Sequence, residues 1–252
     1  IKQKFSYLII CFKFLACIRN TIIIKKILNF VTTAEIIPTL NEVEGMKKVV
    51  SKIKKEWVDE IIVVDGGSTD GTVEEAQNLG FEVIKQKTDG SHGAAIFDGF
   101  EYSKADMLLM FGADGNNEPE EIPKTVEMMK KGYDQVIITR FGKTSINDDA
   151  GLIDGFGNKM FTFIANVLFG GHLTDTLSSS RAITRNAWNE IKFNAFKTDS
   201  TYQISVRAMK KKQKMLEIDG NEPARIGSER KMHRIPTGMH LVSRAVREFI
   251  FW

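Results

Sequence analysis

Short apolar runs recur at regular intervals along the first half of the chain. Each is rich in Ile, Val, Leu or Met and is bounded by charged or turn-forming residues, which is typical of buried strands. Five strands are predicted: AEIIPT (34–39), DEIIVVD (59–65), FEVIKQ (81–86), ADMLLMF (105–111) and YDQVIITR (133–140). We expect the first strand to stop at Pro38, because proline has no N–H for the strand ladder.

Helical spacing of apolar residues separates these strands. The predicted helices cover residues 41–56, 73–79, 91–103 and 118–131. Strands that alternate with helices in this way build a mostly parallel sheet, with helices on both faces. The pattern therefore predicts an α/β fold with a mostly parallel central sheet flanked by helices.

Beyond residue 140 the pattern is less regular. Residues 156–169 are apolar almost all round a predicted helix. Burial of this helix in the core is the default interpretation, and contact with a membrane is the alternative. Residues 173–184 are ambiguous, 188–212 are mostly helical, and 214–219 form a short strand.

The last helix is amphipathic and basic. Residues 237–251 place Leu241, Val242, Ala245, Val246, Phe249 and Ile250 on one stripe, with Arg244 and Arg247 off it. Such a helix favours an anionic membrane surface, although a solvated protein surface explains the charges about as well. We divide the chain into an apolar, basic extension (1–33), the main domain (34–236) and this C-terminal helix (237–252).

The N-terminal extension has no single interpretation. Residues 7–18 are apolar, but Lys13 interrupts them and the run is too short to span a bilayer. A signal peptide is one possibility, with Lys2 and Lys4 as its charged region. A helix lying on the membrane or a poorly ordered extension is favoured.

Composition narrows the functional classes. Of the 252 residues, 42% are hydrophobic, enough for a sizeable core, and the net charge of +3 does not suggest nucleic acid. Basic residues do not alternate with aromatic ones, which also argues against nucleic-acid binding. Two cysteines without a Cys-x-x-Cys or Cys/His pattern argue against a zinc site and fit a reducing, cytoplasmic location.

Polar segments follow four of the predicted strands: PTLNE, DGGSTDGT, KTDGSHGAA and GADGNN. In open α/β sheets ligands bind beyond the carboxyl ends of the strands. Helix caps and turns explain part of DGGSTDGT, but not Asp65, an acid at the point where a buried strand emerges. The carboxylate of Asp65 could accept hydrogen bonds from a base or a ribose. The sequence lacks the glycine-rich phosphate-binding motifs of dehydrogenases and P-loop proteins.

The segment GADGNN has two interpretations. Asp114 and Asn116 would point the same way in an extended segment and could hold Mg²⁺ or Mn²⁺ against a diphosphate, because hard cations prefer oxygen ligands. A simple turn explains the same residues about as well.

Together these motifs resemble glycosyltransferase family 2, most closely its dolichol- or polyprenyl-phosphate sugar transferases. The resemblance runs from Ile36 to Lys231 and rests on these segments: IIPTLNE, IIVVDGGSTDGT, GSHGAAIFDGF, GADGNNEPEEIP, ITR, LTDTLSSSRAITR and RIGSERKM. It implies the GT-A fold, a nucleotide-diphosphate sugar as donor and a polyprenyl or dolichyl phosphate as acceptor. It also implies peripheral membrane contact, at the cytoplasmic face.

The resemblance assigns roles to residues of this chain. For the nucleotide-sugar it implies Pro38, Asn41, Glu42, Asp65, Gly67, Ser68, Gly93 and Asp114. For the donor or acceptor phosphates it implies Arg140, Arg181, Arg230 and Lys231. Asp114 and Asn116 would bind Mg²⁺ or Mn²⁺, and Asp114, Arg140 and Asp175 would be catalytic, with Asp175 as the base if the acceptor were a hydroxyl.

The chain departs from the family pattern at three places. Gly66 replaces a second acid after Asp65, Gly112 replaces the first acid of Asp-x-Asp, and Ser179-Ser180 replaces Gly-Phe before Arg181. The second departure weakens the predicted metal site. Two alternatives therefore remain open: a family 2 transferase that acts on a saccharide or protein hydroxyl, and a catalytically weak protein that only binds sugar nucleotides.

Overall fold

A seven-stranded sheet organises the computed structural model, which describes residues 31–149, 151–227 and 233–252. The strands are β1 Thr33–Thr39, β2 Glu60–Asp65, β3 Glu82–Lys85, β4 Met107–Met110, β5 Gln135–Thr139, β6 Arg181–Thr184 and β7 Met215–Asp219. Their order across the sheet is β3-β2-β1-β4-β6-β5-β7. Only β6 runs antiparallel to its neighbours β4 and β5, so the mostly parallel sheet that the sequence predicts is confirmed.

Helices cover both faces of the sheet. They are α1 Val43–Lys48, α2 Thr72–Asn78, α3 His92–Tyr102, α4 Glu121–Met129, α5 Leu152–Phe169, α6 Arg185–Ile191, α7 Ser200–Lys210 and α8 Arg234–Phe251. Helices α1, α2 and α4 bury apolar residues against one face, and α3, α6 and α7 against the other. A third apolar cluster joins α5, α7 and α8 around Phe161 and Tyr202.

The first strand continues through Pro38, so the prediction that it stops there is wrong. Pro38 pairs in register with Val64 of β2, whereas the pairing of β1 with β4 ends at Ile36. The edge of Pro38 that lacks an N–H therefore faces a stretch where the ladder with β4 has already ended. Proline is tolerated in a strand when its missing donor has no ladder partner.

The other differences concern helix and strand lengths. Residues 41–56 form only the short helix α1 and a single 3₁₀ turn, Val50–Lys52. The ambiguous segment 173–184 is a loop followed by β6, and 188–212 contains two helices, α6 and α7. Local spacing cannot distinguish one long helix from two short ones that pack in different directions.

The C-terminal helix packs on α5 and α7 through buried polar residues as well as through Leu241 and Ala245. Arg207 of α7 lies 2.9 Å from Glu248 of α8, and both side chains are almost fully buried. Arg244 of α8 lies 2.6 Å from Asp199. Residues 33–252 form one compact unit that includes this helix. Among the described residues no helix is long and apolar enough to cross a bilayer, and the predicted extension, apart from 31–33, lies outside that range.

Candidate functional site

The carboxyl ends of the six parallel strands meet at one edge of the sheet. Asp65 ends β2, Asp114 follows β4, and Arg140 follows β5. Because β6 is antiparallel, its start lies at this same edge and brings Asp175 there. Residues distant in sequence are thus collected at the edge where open α/β sheets bind ligands.

The loops after β1 and β2 are held together by side chains. The backbone N–H of Asn41 donates to Oγ of Ser68 (2.9 Å), and Oδ1 of Asn41 accepts from the N–H of Thr69 (2.8 Å). Asn41 has a φ of 53°, a left-handed conformation that asparagine tolerates better than most residues. The two loops therefore form one rigid wall at the end of β1 and β2.

Asp65 shapes this wall. Its carboxylate is 7% exposed and accepts hydrogen bonds from the N–H groups of Gly67 (2.9 Å) and Ser68 (3.1 Å). Gly67 has a φ of 102°, which favours glycine at that position. A carboxylate has about four acceptor positions, so Asp65 retains capacity for a bound nucleoside.

Three other predicted nucleotide residues have local structural roles. Pro38 is half-buried in β1, and the N–H of Glu42 donates to Oγ1 of Thr72 (2.9 Å). Gly93 is buried where a Cβ would lie 2.1 Å from the carbonyl oxygen of Ala195. Close backbone packing is therefore sufficient to explain Gly93, and its assignment to the nucleotide stays a prediction.

The carboxylate of Asp114 forms an ion pair with Arg225, a residue that was not predicted from the sequence. Its Oδ2 lies 2.7 Å from Nη1 of Arg225, and both side chains are 19% exposed. Burial raises the pKa of the Asp114 carboxyl, and the charge of Arg225 opposes this only in part. The carbonyl oxygen of Asp114 also accepts from the N–H of Ile226 (2.9 Å). The segment around Arg225 is thus attached to the predicted metal loop.

The position of the missing acid is occupied by another side chain. A Cβ on Gly112 would lie 2.5 Å from Oδ1 of Asn117, which accepts a hydrogen bond from the N–H of Gly112 (3.1 Å). Nδ2 of Asn117 donates to Oγ of Ser180. Ser180, in the segment that departs from the family pattern, therefore helps to hold Asn117 beside Gly112.

These contacts do not fit a divalent cation. The predicted ligands are one carboxylate, which Arg225 already binds, and Asn116, whose Nδ2 lies 3.4 Å from Oε1 of Glu222. Within the described part of the chain, no three His, Cys, Asp or Glu side chains are grouped closely enough to hold a metal. The Mg²⁺ or Mn²⁺ prediction at Asp114 and Asn116 thus gains no support from these side chains.

Arg140 and Asp175 form a two-pronged ion pair beside this loop. Nε of Arg140 lies 2.7 Å from Oδ2 of Asp175, and Nη2 lies 3.0 Å from Oδ1. Burial acts to raise the pKa of Asp175, but the charge and hydrogen bonds of Arg140 outweigh it and lower the pKa. Asp175 is fully buried and also accepts from Asn158 (3.0 Å). A carboxylate held in this way is poorly placed to act as the base that the sequence analysis considered.

Glu222 connects Arg140 to the loop after β4, and it was not among the residues predicted from the sequence. Its Oε1 accepts from Nη1 of Arg140 (3.0 Å) and Nδ2 of Asn116 (3.4 Å), and its Oε2 accepts from Asn147 (2.7 Å). Glu222 lies just after β7, in NEPAR. The only signal was its position just beyond the short strand that the sequence predicts over 214–219.

Arg181 does not face the site, so its predicted contact with phosphate is wrong. The side chain is 1% exposed and donates to the carbonyl oxygen of Ser178 (2.6 Å) and to Oγ of Ser205 (3.0 Å). Burial lowers its pKa to about 10. Arg181 thus fixes the turn before β6. The predicted phosphate ligands Arg230 and Lys231 lie outside the described residues.

Helices α5 and α8 present apolar faces away from the body of the protein. On α5 the face has a spacing of three and four residues and consists of Ile153, Phe156, Met160, Phe163 and Val167. On α8 it consists of Ile235, Met239, Val242, Val246 and Phe249. These ten side chains are between 39 and 78% exposed. The default expectation that the apolar 156–169 segment is buried is therefore wrong for most of this face.

A model of glycosyl transferase family 2 matches residues 36–192, more than half of the chain. The match runs from β1 to the end of α6 and includes Asp65, Asp114, Arg140 and Asp175. It ends before β7, Glu222 and Arg225.

Two curated relatives cover part of the chain. Glycosyltransferase AglJ of Haloferax volcanii is 34% identical over 152 residues, which is 60% of this chain and 50% of AglJ. A dolichol-phosphate mannosyltransferase of Pyrococcus furiosus is 36% identical over 115 residues, 43% of this chain and 33% of that protein. The chain therefore matches half or less of the length of these two relatives.

Solved structures share the fold. Glucosyl-3-phosphoglycerate synthase from Mycobacterium tuberculosis, in complex with Mg²⁺ and UDP, has a TM-score of 0.71 at 18% identity, covering 86% of this chain and 79% of that one. The same enzyme with Mn²⁺, UDP and glucosyl-3-phosphoglycerate has a TM-score of 0.68, covering 86% and 80%. At this identity the likeness shows the fold alone, and it confirms the predicted GT-A type.

Proposed function

This chain belongs to glycosyl transferase family 2, and we propose that it moves a sugar from a nucleotide-diphosphate sugar to a polyprenyl or dolichyl phosphate. The donor would be of the GDP-mannose or UDP-glucose type. The similarity to a dolichol-phosphate mannosyltransferase and to an undecaprenyl-phosphate 4-deoxy-4-formamido-L-arabinose transferase of Pseudomonas fluorescens supports a lipid phosphate as acceptor.

The observation that carries the acceptor class is the pair of apolar faces on α5 and α8. Amphipathic helices usually turn their apolar stripe inward. Helix α8 does so only at Leu241 and Ala245; it also turns Arg244 and Glu248 toward the body and leaves Val242 and Val246 half exposed. Contiguous exposed apolar surface marks a site that binds a membrane or a partner. A lipid acceptor would lie in a bilayer that contacts this surface, and we place the reaction at the cytoplasmic face.

Arginines beside the apolar faces of α5 and α8 also favour contact with a membrane. Arg247 is exposed on α8, next to its apolar side chains, and so is Arg234, whose Nε also lies 3.0 Å from Oδ1 of Asp154. Basic residues attract anionic headgroups by roughly 1 kcal/mol each near the surface. The combination of apolar and basic side chains therefore supports peripheral contact with an anionic membrane.

The proposed transfer is a single displacement. An oxygen of the acceptor phosphate attacks the anomeric carbon, a new C–O bond forms with inversion, and the bond to the nucleoside diphosphate breaks. The leaving diphosphate takes the bonding electron pair, so positive charge beside it stabilises the transition state. The acceptor phosphate is already ionised, and the reaction needs no strong base.

The contacts of Asp175 favour a phosphate acceptor over a hydroxyl. A hydroxyl must lose a proton as it attacks and benefits from a base within hydrogen-bond reach. Asp175, the carboxylate considered for that role, is fully buried and bound by Arg140 and Asn158. Three N–H groups of Arg140 donate to Asp175 and Glu222. A guanidinium has five, so Arg140 could still reach a phosphate.

A catalytically weak sugar-nucleotide binder is the second candidate. It is favoured by the loss of the acid at Gly112 and by the ion pair between Asp114 and Arg225. It would bind the donor through the same Asn41 and Asp65 loops without transferring the sugar.

A turnover assay distinguishes the lipid-phosphate transferase from the catalytically weak sugar-nucleotide binder. The chain is incubated with GDP-mannose or UDP-glucose and with vesicles that do or do not contain polyprenyl phosphate, and the release of GDP or UDP is measured. We expect release to depend on the lipid phosphate. Equal release with and without it would contradict the acceptor, and binding without release would favour the weak binder.

A further inference from the structure

The ion pair between Arg225 and Asp114 occupies the place where a divalent cation is expected. Nη1 of Arg225 lies 2.7 Å from Oδ2 of Asp114, and the N–H of Ile226 donates to the carbonyl oxygen of Asp114. Side chain and backbone of the same segment therefore both attach to the loop after β4. The guanidinium is held at the only carboxylate of the predicted metal motif.

The side chain of Asn117 occupies the space that a second carboxylate of a metal site would need. Asn117 fills the space beside Gly112, where a Cβ would meet its Oδ1 at 2.5 Å. Oδ1 of Asn117 accepts from Gly112 and its Nδ2 donates to Ser180. The loss of the acid is thus accompanied by a hydrogen-bonded replacement.

A guanidinium can perform the electrostatic task of the missing cation. It is permanently charged and has five N–H donors in one plane, so it can bind a carboxylate with one edge and phosphate oxygens with another. Nε of Arg225 is buried and has no hydrogen-bond partner among the described residues. A buried unsatisfied donor is costly, and a phosphate oxygen within hydrogen-bond distance would satisfy it.

We propose that Arg225, positioned by Asp114, binds the diphosphate of the donor in place of a divalent cation. The inference rests on the proposed function for the presence of a nucleoside diphosphate. Asp114 then acts as a positioning residue for Arg225 instead of a metal ligand. When the sugar leaves the donor, the charge that develops on the diphosphate is neutralised by this guanidinium.

Binding of GDP and UDP tests the proposal without relying on turnover. Each nucleotide is titrated calorimetrically into the full chain, once in EDTA and once in Mg²⁺ or Mn²⁺, and Mn²⁺ alone is titrated as a separate probe. We expect the same nucleotide affinity in EDTA and in metal, and no binding of Mn²⁺ alone. Arg225→Met should weaken nucleotide binding by about 10- to 100-fold, the range for a lost hydrogen bond to a charged group.

Two further variants separate the local role of Arg225 from a general effect. Arg225→Lys keeps the charge but not the planar fork, so we expect an intermediate affinity. Lys131→Met removes an exposed ion pair elsewhere, with Nζ of Lys131 3.0 Å from Oε1 of Glu127 at the end of α4, and should leave nucleotide affinity unchanged. Thermal unfolding of each variant shows whether a lost affinity comes from a lost fold.

The outcomes distinguish this inference from the proposed function. Nucleotide binding that requires Mg²⁺ or Mn²⁺ would overturn the role of Arg225 and leave the transferase proposal intact. Normal affinity of a folded Arg225→Met would also overturn it. Absence of nucleotide binding in every condition would overturn both proposals.

Discussion

The side chains of Arg140 and Asp175 are joined by two hydrogen bonds, from Nε to Oδ2 at 2.7 Å and from Nη2 to Oδ1 at 3.0 Å. This pair connects the end of β5 to the loop before β6, two segments that the chain separates by a helix. Glu222 extends the connection to Asn116 in the loop after β4. Asp175, Arg140, Glu222 and Asn116 are therefore a connected network, in which one guanidinium lies between two carboxylates.

Breaking this pair should destabilise the fold. Asp175→Asn removes the charge that balances Arg140, and we expect the free energy of unfolding to fall on the order of 3 kcal/mol, as for other buried pairs that lose one partner. The measurement is urea denaturation of Asp175→Asn, Arg140→Gln and the double variant. We expect the double variant to lose less than the sum of the two single losses. Strictly additive losses would show that the two side chains are not coupled.

Asp65 should control nucleotide binding through the loop that it organises. Asp65→Ala removes the acceptor for the N–H groups of Gly67 and Ser68. We expect GDP or UDP to bind about tenfold or more weakly, the equivalent of one lost charge-assisted hydrogen bond. The control is Glu74→Gln, which removes an exposed acid from α2 nearby. An unchanged affinity for Asp65→Ala would remove Asp65 from the nucleotide site.

The apolar face of α8 should be needed for membrane contact but not for stability. Val246 is 50% exposed, so Val246→Glu should change the free energy of unfolding by less than about 0.5 kcal/mol. We expect it to reduce flotation with vesicles that contain anionic lipid. Lys130→Gln, on the exposed end of α4, changes the net charge by the same amount and is the matched control. Equal flotation of both variants and the original chain would contradict membrane contact by α8.

Stability should decrease as the pH rises toward neutrality. Burial raises the pKa of Glu121 from its ordinary value of 4.5 to about 7. The folded state therefore holds this proton more tightly than the unfolded state, and the free energy of unfolding falls as the pH rises through that interval. The contribution of Glu121 is on the order of 3 kcal/mol. Burial raises the pKa of Glu35 in the same direction.

Denaturation at about pH 5 and about pH 8 tests this pH dependence. We expect the free energy of unfolding of Glu121→Gln to fall less between these two pH values than that of the original chain. Part of the fall should remain, because Glu35 still contributes. Glu120→Gln, an exposed neighbour, should behave as the original chain. A Glu121→Gln variant with an unchanged pH dependence would show that Glu121 does not titrate in this interval.

The sequence predicts the sheet well because its signals are local. Apolar runs followed by polar turns identified β1 to β5, and the positions of Asp65, Asp114 and Arg140 followed from the strand ends. The antiparallel insertion of β6 has no such signal, because it depends on the pairing of Arg181 with Met110 and Ile137, which are far away in sequence. Pairing between distant segments is decided by the whole sheet.

The side-chain partners within the site could not be predicted for a similar reason. An arginine near a family motif is easily interpreted as a phosphate ligand, yet the side chain of Arg181 turns inward and donates to a carbonyl group. Arg225, which binds Asp114, is more than a hundred residues away from it in sequence. The stripe on α8 was recognised, but not its direction, because the ion pair of Arg207 with Glu248 decides which side faces the body. Periodicity identifies a face of a helix without showing what it packs against.

The most direct test of the proposed function is the identity of the glycosylated lipid. The chain is incubated with GDP-mannose or UDP-glucose and with vesicles that carry either polyprenyl phosphate or the corresponding polyprenol, and the lipids are analysed by mass spectrometry. We expect a hexosyl phosphate diester from polyprenyl phosphate and no hexosyl product from polyprenol. A hexoside of polyprenol, or no glycosylated lipid with either acceptor, would contradict transfer to a lipid phosphate.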